Sequence, residues 1–153
     1  MRTVGIDPGL FGAAACWDDD LEALCVFDAP IARVQVGRSK ARAVLVDALY
    51  ADGIRAMCPD AIIIEKVGGL TGQSASASFT FGATYGVVRG IAATLGVPVS
   101  FVAPPVWRSR LRVTAGKDGS RLKACQLFPA YAHLFARVKD DGRAEAALIS
   151  RYN

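Results

Sequence analysis

The run from Ala61 to Val67, AIIIEKV, limits what this chain can fold into more than any other segment. It is short, rich in β-branched residues, and bounded by Pro59-Asp60 on one side and Gly68-Gly69 on the other. That is the pattern of a strand buried on both faces. Such a strand needs a layer of helices above and below its sheet, so an α/β fold is expected. The run also carries one acid, Glu65, where an ionised side chain is costly unless something compensates it.

The rest of the chain supplies neighbours for this strand. Thr3 to Asp7 alternates Val and Ile with small residues and then meets Pro8-Gly9, which reads as a strand ending in a turn. Strands from Gly12 to Trp17 and from Leu21 to Phe27, parted by Asp18-Asp19-Asp20, complete an antiparallel meander. A first helix is expected after an N-cap at Ser39, with Val44, Leu45, Ala48 and Leu49 on its apolar face and an end near Met57 to Pro59. A helix of about five turns from Ala75 to Leu95 follows the Glu65 strand, and then a strand from Val97 to Ala103. After Pro104-Pro105 the pattern is helical and basic, with a capping candidate at Ser120 and a final helix from about Asp141 to Tyr152. This order predicts a mixed sheet of three antiparallel strands and then two parallel ones, flanked by helices. Its 153 residues suit one domain, 1–153.

The most apolar stretch, Phe79 to Pro105, holds Arg89 at its middle and Pro98 near its end. It reads as a buried helix and a buried strand, not as a membrane span. The N-terminus reaches Asp7 too soon for a signal peptide, so a cytoplasmic location is expected. Cys16, Cys25, Cys58 and Cys125 form no CxxC and have only His133 to complete a zinc site, so buried reduced thiols are expected. Charge is uneven: residues 1–104 hold 8 basic and 10 acidic side chains, whereas residues 105–153 hold 10 and 4. A basic C-terminal third suits a polyanionic partner.

Asp7 and Glu65 would emerge at the same height if their strands are neighbours, and two buried like charges need a cation to stay ionised. Taken singly, Asp7 reads equally as a turn residue before Pro-Gly, and Glu65 as a strand-end acid facing solvent. Asp141 and Glu145 are four residues apart in DDGRAEAALIS, on one face of a helix. Either they favour a helix N-terminus, or they join the strand acids while Gly142, Ala144, Ala146 and Ala147 let the helix lie close to a sheet edge. Four such carboxylates would suit hard divalent cations and in-line phosphodiester hydrolysis without a Cys or His nucleophile.

The blocks GIDPGLFGAAA, IIIEKV, FTFGATYGVVRG and DGRAEAALIS, in this order over nearly the whole chain, resemble the RuvC-like resolvases of the RNase H-like superfamily, including short phage-type relatives. The resemblance implies an RNase H-like fold and a homodimer. It also implies paired, symmetric nicking of four-way (Holliday) DNA junctions in recombination and repair, with Mg²⁺, or Mn²⁺ in its place, two per site. It assigns Asp7, Glu65 and Glu145 as catalytic metal ligands and Asp141 as the fourth, although the last pair is four residues apart here where the family often has three. It places DNA contacts on Arg108, Arg110, Arg112, Lys117, Arg121 and Lys123, with Lys117 the candidate for the scissile phosphate. Where family members carry an aromatic residue past the glutamate, this chain has Gly68-Gly69-Leu70. Phe79 and Phe81 could take over the stacking, but core packing is the favoured reading for both, and Trp107 reads as an anchor. Alternatives are an RNase H-like nuclease for other branched DNA or structured RNA, and a non-catalytic junction-binding protein.

Overall fold

Val4 and Ile6 alternate with Thr3 and Gly5, so the first strand, β1 (Arg2–Asp7), offers a different set of side chains to each face of its sheet. A computed structural model of the chain describes residues 1–38, 41–68, 72, 74–116 and 118–152. After β1 come β2 (Ala13–Asp18) and β3 (Ala23–Asp28), then a hairpin of β4 (Ile31–Gln35) and β5 (Ala41–Leu45). Helix α1 (Asp47–Ala56), β6 (Ala61–Glu65), α2 (Ala75–Ala93) and β7 (Val99–Val102) follow. The C-terminal part holds α3 (Pro104–Arg110), α4 (Gly119–Leu127), 3₁₀ turns at Pro129–Phe135 and Val138–Asp140, and α5 (Asp141–Ser150). No helix among the described residues is long and apolar enough to cross a membrane.

The main sheet has the order β3-β2-β1-β6-β7, antiparallel through β3, β2 and β1 and parallel from β1 to β6 to β7. This is the mixed sheet read from the sequence. Its two faces hold separate cores. Val4, Ile6, Ile62 and Ile64 pack with Tyr50 and Ile54 of α1 and Val88 of α2. Ile63 and Val102 pack on the other face with Trp107, Phe128, Phe135 and Leu148. Because side chains alternate along a strand, Asp7 and Glu65 fall on this second face with Gly5 and Ile63. α5 covers that face.

The approach of α5 is set by glycine. A Cβ on Gly5 would lie 2.2 Å from the Ala146 carbonyl oxygen and 2.3 Å from the Ser150 nitrogen, so no side chain fits between β1 and α5. Ala144, Ala146 and Ala147 are fully buried there. The small residues of the last helix thus serve a close approach, but to the central strand and not to a sheet edge.

Several expectations are corrected. Val44 and Leu45 belong to β5, paired with Ala32 and Ile31, because IARVQV alternates with a strand period and Gly37 turns the chain at φ +108°. α1 therefore starts at Asp47, and Ser39 lies outside the described residues. α2 is not a buried helix: only Thr84, Val88 and Ala92 are buried along it, and Phe79 is 75% exposed. β7 is the edge strand, so Phe101 is 44% exposed instead of buried on both sides. Only Cys16 is a buried thiol; Cys125 is half-buried, and Cys25 on edge strand β3 and Cys58 past the end of α1 are exposed, all four being free.

Candidate metal centre

Asp7 ends β1 and Glu65 ends β6, one residue beyond the parallel pair Ile6 and Ile64. Their carboxylates therefore leave the sheet side by side. Glu145 reaches them from the second turn of α5, and one carboxylate oxygen of each of the three lies within 4.8 Å of the others. At that spacing two unit charges repel by roughly 3 kcal/mol at an effective dielectric of 20. Glu65 is only 6% exposed, which excludes the solvent-facing reading of this residue.

The surroundings respond to this charge. Burial, then the charges of Glu145 and Glu65, push the Asp7 carboxyl up to about 7, and the Gly9 N–H that donates to Asp7 Oδ1 at 3.2 Å pulls it only partly back. Asp7 is thus also the turn residue that its Pro-Gly neighbours suggested. Glu65 is raised by burial as well, against the pull of the Trp107 indole N–H, which donates to Glu65 Oε1 at 2.8 Å. Trp107 is fully buried in the core of this face, so it anchors α3 and holds the carboxylate at once. The next residue, Arg108, donates to Glu145 Oε1, which also accepts from the Ser120 hydroxyl at 3.0 Å. Ser120 is therefore not a helix cap: it lies buried inside α4, whose N-cap position is Asp118.

Asp141 stands apart from the three. Its Oδ1 faces Arg121 Nε at 3.1 Å, and both atoms are buried without an aligned hydrogen-bond partner. It nevertheless borders the same cleft, of about 830 Å³, as Asp7, Asp28, Arg137, Arg143 and Glu145. Gly142 lets α5 close on this cleft, since a Cβ there would lie 2.9 Å from Asp7 Oδ2 and from the Gly12 Cα. Phe11, 72% exposed on the β1–β2 turn, forms part of its rim.

The basic residues expected to meet DNA are partly engaged within the protein. Arg121 pairs with Asp118 as well as Asp141, and Arg108 with Glu145. Arg110 stacks over the Tyr152 ring at 5.5 Å, Arg112 is exposed, and Lys123 is half-buried. Lys117, Gly69 and Leu70 lie outside the described residues. Nothing in the sequence pointed to the roles of Ser120 and Phe11, or to a carboxylate held by the Trp107 indole. Only the chain's fold shows which distant partner an indole or hydroxyl meets.

Three converging carboxylates are hard oxygen donors, which fit a hard divalent ion better than a soft metal. No protein-family model and no curated protein sequence matches the chain. Solved structures do. T. thermophilus RuvC in complex with a Holliday junction substrate superposes with a TM-score of 0.61 at 17% identity, covering 99% of this chain and 92% of that one. A structure of Thermus thermophilus RuvC superposes with a TM-score of 0.56 at 18% identity over 97% and 92%. Over nearly its whole length, the chain has the RuvC-like, RNase H-like fold.

Proposed function

We infer that the chain is a divalent-metal-dependent endonuclease that resolves four-way DNA junctions by paired, symmetric nicking. The observation that carries this reading is the convergence of Asp7, Glu65 and Glu145 within 4.8 Å on a fold whose solved relative is bound to a Holliday junction. In the proposal these three acids are the metal ligands and Asp141, on the wall of the same cleft, is the fourth. These carboxylates would hold Mg²⁺ or Mn²⁺, two per site, and the bound metal would supply charge stabilisation at the phosphate and a more acidic water.

The protein's own groups prepare the site. The Trp107 N–H fixes one oxygen of Glu65, Ser120 fixes Glu145, and the Arg108 guanidinium offsets part of the acidic charge. Arg110, Arg112, Lys117 and Lys123 are proposed to meet phosphates, with Lys117 nearest the scissile one. Arg108 and Arg121 would join them only by leaving their acid partners. The whole chain, 1–153, would act as one nuclease domain in the cytoplasm.

A homodimer would present two such sites to opposed strands. Its support is the outer face of α2, where a Cβ on Gly82, Gly86 or Gly90 would meet nothing within 4 Å, so the glycine stripe does not serve contact with the chain's own sheet. The test is a Mg²⁺-dependent cleavage assay across a four-way junction, a fork, a flap and a straight duplex. The proposal expects paired nicks in the junction at rates well above the other substrates. Equal cutting of all four, or preference for the flap, would contradict it.

A further inference from the structure

The β4–β5 hairpin supplies no carboxylate to the acid site and adds little to either core. Residues 31–38 are all exposed, and a two-stranded ribbon of this size is marginal by itself. Its composition is one-sided: residues 29–46 contain Arg33, Arg38, Lys40 and Arg42 and no acid at all.

Its cations differ from half of those in the C-terminal third. Arg108, Arg121, Arg137, Arg143 and Arg151 each pair with an acid of the chain. Arg33 and Arg38 pair with no acid among the described residues, and Arg42 donates to the Thr80 hydroxyl and to no acid among them. A guanidinium left unpaired on a surface is ready to bind a phosphate oxygen through two parallel hydrogen bonds.

The hairpin is also in the right place. Ala29 and Ile31 at its base line the cleft that holds Asp7 and Glu145. That base is tied down by the Ala29 N–H donating to the Gly12 carbonyl at 3.0 Å and the Val46 N–H donating to the Pro30 carbonyl at 2.8 Å. A nucleic-acid strand whose scissile phosphate sat at the acids would carry its neighbouring phosphates past this rim.

We propose that the β4–β5 hairpin is a DNA-binding arm, in which Arg33 and Arg38 contact backbone phosphates of the duplex flanking the cleavage point. The proposal rests on the nuclease reading above and extends it to a surface outside the C-terminal basic segment. Such contacts position DNA without reading its sequence.

The test is equilibrium binding of the full chain to a synthetic four-way junction in EDTA, from about 50 to 200 mM salt. Replacing both side chains, Arg33→Gln with Arg38→Gln, is expected to weaken binding about tenfold at the low end and to make the plot of log affinity against log salt shallower by about 2. Arg33→Lys with Arg38→Lys keeps both charges and should restore the slope. A Gln pair with wild-type affinity and slope would overturn the arm, as would Gln and Lys pairs that lose the slope equally. The nuclease reading fails separately: a wild type that binds DNA but cuts no junction defeats that reading, while the salt slope still reports on the arm.

Discussion

Asp7 keeps its proton to about pH 7 because burial, and then the charges of Glu145 and Glu65, disfavour its ionised form. A carboxyl raised above its ordinary value of 3.8 stabilises the fold below that value and loses the contribution as pH climbs through the folded pKa. The metal-free protein should therefore lose stability between about pH 4 and 7, by up to roughly 4 kcal/mol. Asp7→Asn should flatten that slope and be more stable than wild type at neutral pH, which denaturant melts in EDTA at several pH values would show. Equal slopes in the two proteins would contradict the crowding of acids. Trp107→Phe keeps an aromatic ring in the core but leaves Glu65 Oε1 without its donor. It should cost about 1–3 kcal/mol and weaken Mg²⁺ binding by calorimetry about tenfold, whereas unchanged metal affinity would reduce Trp107 to an anchor. Asp7 and Glu65 were legible in the sequence because an acid at the end of an apolar strand is conspicuous. The place of Asp141 was not, since i, i+4 spacing gives a shared helix face but not whether Arg121 lies opposite.

At the scale of elements, the site depends on how closely α5 lies on β1. Gly5→Ala would drive a methyl group into α5 backbone 2.2 Å away, and backbone cannot turn aside as a flexible side chain can. A loss of about 3 kcal/mol is expected from thermal or denaturant melts. Gly142→Ala meets Asp7 Oδ2 and the Gly12 Cα at 2.9 Å, so it should cost less stability but shift Glu145 away from Asp7. Its expected signature is weakened Mg²⁺ binding in a folded protein, and a variant that binds Mg²⁺ as wild type does would contradict the tight seating of α5. The sheet was readable from the sequence because its strands are short apolar runs, alternating in β1 and continuous in β6, that stop at Pro-Gly or Gly-Gly. The hairpin was not, because Val44 and Leu45 fit a helical face as well as a strand when seen in a short window. The burial of α2 was overestimated for a related reason: apolar composition reports what a helix could bury, and only Thr84, Val88 and Ala92 are buried along it, with Tyr85 and Ile91 partly so.

At the scale of the molecule, the cations proposed to meet DNA reach beyond the acid cluster, so binding and cutting should separate in experiment. Basic residues supply phosphate affinity without a metal, so junction binding should survive EDTA while cutting does not. The proposed two-fold dimer is expected in light scattering, and a monomer that still makes paired nicks would contradict it. The account as a whole turns on whether the cluster of Asp7, Glu65 and Glu145 is the cutting site. The most direct measurement follows cleavage of a synthetic four-way junction by wild type and by Glu145→Gln, each in Mg²⁺ and in EDTA, with junction binding measured alongside. The account predicts paired nicks only for wild type in Mg²⁺, and retained binding in all four arms. A Glu145→Gln protein that cuts at the wild-type rate would contradict it.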